Sequence, residues 1–231
     1  MVEYLVRYLG NFSVIFMSMA LFFAPFVAVF WWRQRNAIRE AGHPHFNYFM
    51  ERFFMSREAN WLIFSWAAAE AIVWFIIPEF LLILLIFMKI NRKFDLVKYD
   101  LLGTIVGTII ALIITIPQQL FLSLPYIRPK MVQQVTEWYD QQGVLGLVHQ
   151  PFSGVPYKVF THVASDYHFF IVAFLVVAVI ARMVRYLVVY EATKALYPLL
   201  HRYVRKHYAW IFVLAVAIFT GLLLRVVSIY S

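Results

Sequence analysis

The stretch at residues 149–162, HQPFSGVPYKVFTH, constrains this chain more than any other. It lies in very apolar surroundings, yet Pro151, Gly154, Pro156, Lys158 and two histidines keep it from crossing a bilayer as a helix. Lipid offers a bare amide no hydrogen-bond partner, so irregular backbone at membrane depth survives only inside protein or beside a wet cavity. A broken, cationic segment among membrane helices therefore marks a site.

The surroundings are membranous by composition. With 63% hydrophobic and 14% charged residues, the chain reads as an integral membrane protein, a single membrane domain over residues 1–231 with no soluble domain left over. It contains no cysteine, which removes disulfides and thiolate metal sites from consideration. The net charge of +8 fits Lys and Arg at helix ends facing anionic headgroups better than it fits nucleic acid.

Four runs have the length of a spanning helix: residues 11–32, 101–121, 167–190 and 208–227. The first ends in Trp31 and Trp32, followed by Arg33 and Arg35, and carries no small-residue cleavage site, so it is expected to remain in the mature protein. Residues 33–60 are polar and aromatic and read as a surface segment in the headgroup layer. Residues 61–90 form an apolar stretch interrupted by Pro78 and Glu79. As one helix it would rise ~45 Å, beyond a ~30 Å hydrocarbon core, so a break at Pro78 is expected. Basic residues flank it on both sides, and a re-entrant hairpin keeps both flanks on the cytoplasmic side, as the positive-inside rule prefers.

In residues 101–108, Gly103 and Gly107 share a helix face and permit close contact with a neighbour. Met131, Val135, Trp138 and Tyr139 fall on one side of a short amphipathic helix expected on the outer surface. Residues 143–164 read as a second re-entrant hairpin, opposite in direction to the first. The resulting topology puts thirteen Lys and Arg inside and three outside. Four spans and two opposed hairpins make the all-α, inverted arrangement of many transporters.

The charged residues inside the membrane segments are the candidate site. Glu70 would lie about 13 Å deep at helical rise, where an acid faces protein or water, in a functional or paired role or neutralised by burial. Glu79 follows Pro78 and could instead cap exposed amides there. Lys158 could bind substrate or snorkel to the surface. Arg182 and Arg185 share a face and could join an ion network with the hairpin acids or snorkel, while Arg225 reads as a snorkelling anchor. His149, His162 and His168 have spacings that do not stack them on one face, so neither metal nor cofactor is expected.

The motifs AAAEAIVWFIIPE, LLGTIVGT, WYDQQG, PFSGVPYKVFT and ARMVRY together resemble the DedA family, also called the VTT or SNARE-associated Golgi protein family, and within it the YqaA-like branch. The resemblance covers roughly residues 50–190 and is most specific in PYKVFT and ARMVRY. It implies a multi-pass protein of the bacterial inner membrane with paired re-entrant hairpins, acidic functional residues in the first and basic ones in the second. It further implies movement of lipids, phospholipids or polyprenyl phosphates, between leaflets, with dependence on the proton motive force. Many members have an arginine where this chain has Gln150, so their lipid specificity need not carry over. On this reading Glu70, Glu79, Gln150, Lys158, Arg182 and Arg185 bind or transport the substrate. Pro78, Pro151, Gly154 and Pro156 shape the hairpins. A proton-coupled carrier of small ions or solutes and a non-transporting assembly protein remain open, whereas no nucleophile with an oriented base points to an enzyme.

Overall fold

The computed structural model describes residues 2–40, 46–74, 83, 93–114 and 116–230, and every element among them is helical. Among the described residues, four helices contain stretches long and apolar enough to cross a membrane: 8–38, 95–113, 171–204 and 210–229. By length and composition the chain is a multi-pass integral membrane protein. Pro78, Glu79 and most of the return limb expected for the first hairpin lie outside the described residues.

The first helix, α1 (Val2–Glu40), exceeds the expected run at both ends and carries Pro25 inside it. Beyond the apolar stretch, Arg33 stays helical and pairs with Glu58 at 2.5 Å. The polar segment that follows contains a short helix, α2 (Phe46–Phe54), whose Phe53 and Phe54 are buried. Next comes α3 (Arg57–Ile72), started by Ser56, whose hydroxyl accepts the amide of Ala59. It is 16 residues long and so rises only ~24 Å, short of a full crossing.

Helix α3 runs antiparallel to α1. Glu58 meets Arg33, whereas Trp66 packs edge-on against Phe22 and Phe23, each at 5.5 Å, and Trp74 meets Phe22 at 5.0 Å. Phe22 lies about 16 Å along α1 from Arg33, which places the end of α3 near mid-depth.

The next helix, α4 (Lys93–Ile113), starts and ends about two turns earlier than expected. Pro117 has no amide proton to continue a helix, so the residues beyond form a separate turn, α5 (Gln118–Leu122). At the start, Asp95, Lys98 and Asp100 are accommodated because Asp100 finds buried partners within the protein. Gly103 packs on the backbone of Phe64, and a Cβ at Gly107 would lie 2.5 Å from the carbonyl oxygen of Ala68. Both contacts advance together along the two chains, so α3 and α4 run parallel and begin on the same side.

Helix α6 (Pro129–Gln142) buries Met131, Val135 and Tyr139, with Trp138 half-buried beside them. The expected apolar face exists but turns onto protein: these side chains pack with Phe160 and Val163 of the segment that follows. That segment is a 3-10 helix (Gly143–His149), a single turn α7 (Gln150–Ser153), a left-handed Gly154 at φ 75°, and α8 (Tyr157–Tyr167). Left-handed His168 separates it from α9 (Ile171–Lys206), so the third apolar run starts later than expected and continues through the basic residues and Pro198 without a loop. Helix α10 (Tyr208–Ile229) returns against α1, where the Tyr8 hydroxyl donates to Ala217 O at 2.5 Å and Phe16 meets Phe212.

Two outcomes follow for measurement. Gly103→Val or Gly107→Val must separate α3 from α4, lowering stability by about 1–3 kcal/mol, seen as a reduced midpoint of thermal unfolding in detergent. In membranes, single cysteines at Gly42 and Asn91 should react from the same face and one at Gln141 from the other; labelling of Asn91 together with Gln141 contradicts the parallel packing.

Candidate functional site

The last turns of α3 and the first turn of α8 meet in the interior, and the chemistry of the chain gathers there. Glu70, near the end of α3, is buried and paired with Arg182 of α9, only 1% exposed. The Arg182 side chain also approaches Asp100 of α4 at 3.9 Å, and Asp100 accepts a hydrogen bond from the Tyr186 hydroxyl, one turn on from Arg182. The guanidinium lies over the ring of Tyr157 in α8, 4.9 Å from its centroid. Tyr157 in turn shares a hydrogen bond of 2.8 Å with Thr108 of α4. One arginine thus holds side chains from α3, α4 and α8. A buried guanidinium is tolerable only with such compensation, since the bare ion would cost several kcal/mol.

Lys158 and Thr161 treat the end of α3 as a partner. A helix leaves its last carbonyls without intrahelical donors, an acute cost where no water reaches. Lys158 Nζ donates to Val73 O at 2.7 Å and the Thr161 hydroxyl to Ala71 O at 2.8 Å. A cation on the C-terminal end of a helix also suits its dipole. Lys158 is fully buried, so it does not snorkel.

The remaining expected residues fall in several places. Gln150 is buried at the start of α7, its Oε1 without a hydrogen-bond partner among the described residues. Pro151 lies in the first turn of α7, and Gly154 supplies the left-handed turn, where a Cβ would also press on Val226 at 3.3 Å. Pro156 precedes α8, whose first amides have no side-chain cap among the described residues. Arg185 is half-buried, and Arg225 is exposed on α10. His162 stacks on Phe121 and His149 on Trp138, so both rings pack against aromatics. Among the described residues no three His, Asp or Glu side chains gather.

Sequence reasoning missed Asp100, Tyr157 and Tyr186 as members of this cluster, and Thr104 and Thr108 beside it. Asp100 falls just outside the span expected over residues 101–121. A signal was present: Asp100, Thr104 and Thr108 recur every four residues, forming a polar stripe beside the two glycines in the apolar part of the helix. All three are buried, and the Thr104 hydroxyl has no partner among the described residues.

Farther out, Tyr167 of α8 donates to Asp140 of α6 at 2.5 Å, and that bond pushes the Tyr167 hydroxyl up to about 12. It ties α6 to the end of α8 over the buried cluster.

Fold and cluster together define the class: an all-helical, multi-pass membrane protein in which two short helices end on one another around a buried ion network. No protein-family model, curated protein or solved structure matches this chain.

The network predicts a coupling. Arg182→Met or Glu70→Gln alone should cost roughly 3–5 kcal/mol by leaving a buried charge without its partner, whereas the double variant should cost less than the sum of the two. Thermal unfolding of all four forms in detergent measures it, and strict additivity would show that the pair is not coupled.

Proposed function

We propose that this protein is a DedA-like transporter of the bacterial inner membrane that moves a phospholipid or lipid phosphate between leaflets, with proton coupling through its buried acids. The observation that carries the reading is the charge-balanced cluster at mid-depth. Glu70 and Asp100 stand against Arg182 and Lys158 in an apolar interior. A proton taken up by either acid leaves the cluster with a net positive charge. In an apolar setting that charge attracts a phosphate, and loss of the proton to the other side, which restores the carboxylate, releases the phosphate. A phosphate crossing hydrocarbon alone meets a prohibitive desolvation cost, which cationic partners along the way reduce.

The architecture supports this reading in two ways. Parallel α3 and α4 favour a re-entrant path for residues 61–90, because the chain between two helices that begin on one side has to come back to that side. On this reading residues 143–164 enter from the opposite side, with the turn at Gly154 leading into α8, whose first amides have no side-chain cap among the described residues. Two opposed broken elements meeting at the centre form the arrangement in which inverted-repeat transporters bind their substrates. Glu79, Gln150 and Arg185 are assigned to the substrate path with these groups. The cluster is closed in this structure, with Glu70 and Lys158 at most 2% exposed, so passage requires α3 and α8 to part. A route open sideways to lipid suits a tailed substrate; an enclosed one would suit a small solute.

Reconstituted protein should speed the appearance of labelled phospholipid or polyprenyl phosphate in the opposite leaflet of liposomes, faster still under a pH gradient. Glu70→Gln, Asp100→Asn and Lys158→Ala should each slow it by about tenfold or more, equivalent to ~1.4 kcal/mol of barrier. A wild-type rate equal to that of empty vesicles, or an activity indifferent to all three changes, would leave the ion network a structural fastener in an assembly protein.

A further inference from the structure

A second polar feature sits far from the buried cluster, at the end of the bundle where α1 begins and α10 finishes. A cavity of about 410 Å³ opens there, within the range of small-molecule sites. Asn11 and Val14 of α1, Leu224 and Val227 of α10, and residues 122–128 line it. Its walls divide by chemistry. Val14, Leu224 and Val227 give it an apolar side continuous with the lipid-facing helices. Asn11, Ser123, Tyr126 and Arg128 give it a polar one.

The polar side is built. Tyr126 is held at φ 65°, a backbone conformation few non-glycine residues adopt, and its hydroxyl donates to Asn11 Oδ1 at 2.9 Å. That bond fixes the loop against α1. Arg128 stands at the start of α6, and among the described residues no side chain caps that helix and its buried Nε has no acceptor. A buried guanidinium nitrogen lacking an acceptor is costly, and an anion supplies one. The depth is equally specific: Asn11 is close to the start of one span and Val227 close to the end of another, at the boundary between headgroups and acyl chains.

We infer that this cavity binds the phosphate of a membrane lipid, its non-bridging oxygens on Arg128 and its chain along Val14 and Leu224. Arginine matches phosphate with paired donors, and the apolar wall distinguishes a tailed phosphate from the free ion. The site lies on the same face as α6 and would hold lipid in that leaflet, next to the broken segment: the Tyr230 hydroxyl at the end of α10 donates to Ser153 O at 3.1 Å. The inference rests on the membrane reading and not on transport.

Equilibrium binding to the full chain in detergent tests it, with radiolabelled dioleoyl phosphatidic acid as the probe and dioleoylglycerol and inorganic phosphate as competitors. Phosphatidic acid should bind saturably, and Arg128→Gln should weaken it by about tenfold or more, the loss of a charge-assisted hydrogen bond. Arg128→Lys should restore part of the affinity, while Leu224→Trp, which fills the apolar half, should weaken binding with Arg128 intact. Unfolding midpoints near wild type verify that the variants are folded, and Leu224→Trp carries the test if Arg128→Gln is not. Unchanged affinity in the folded variants overturns the inference. So does equal competition by dioleoylglycerol, which marks a merely apolar groove, or displacement by millimolar inorganic phosphate, which marks a free-anion site. Binding that survives in a Glu70→Gln protein unable to move lipid separates this site from the transport reading.

Discussion

A guanidinium sealed in an apolar interior sets the terms for everything around it. Arg182 can be buried only if carboxylates come to it, and they come from two other helices: Glu70 from α3 and Asp100 from α4. Tyr157 adds the face of a fourth element. Replacing such a network by well-packed apolar side chains is often neutral or stabilising, so its contribution is one of specification more than of net stability. Three helices and the broken segment can take up only the relative positions in which these charges meet.

Two features of the packing make that meeting possible. Glycines at Gly103 and Gly107 bring the backbones of α3 and α4 together, because any side chain there would collide with Phe64 or Ala68. Helix α3 also stops at mid-depth, which would ordinarily strand its last carbonyls in a medium without water. The opposing helix α8 supplies the missing donors through Lys158 and Thr161. Each broken element is therefore viable because of the other, and α6 covers the second with its apolar face.

Much of this was legible in the sequence. Runs of hydrophobic residues near twenty long have one outcome in lipid, and the prolines and glycine of residues 149–162 forbid a plain helix, so class and broken segment both follow from local chemistry. Gly103, Gly107, Glu70, Lys158 and Arg182 stood out because small or charged residues are rare in such surroundings. Helix ends were less legible. The extents of α1, α4 and α9 depend on whether a charge finds a partner, and neither Arg33 nor Asp100 carries a mark of the residue it will meet.

Sequence by itself therefore determined a multi-pass helical membrane protein, the place where its backbone breaks, and most of the charges that had to be compensated, since each follows from the cost of exposing a polar group to hydrocarbon. Tertiary structure alone decided which acid meets Arg182, that Lys158 caps α3 in place of reaching for the surface, and that the apolar face of α6 turns onto α8 and not onto lipid. Those choices join residues tens of positions apart, and they are set by helix direction and close packing. A local pattern carries no information about either.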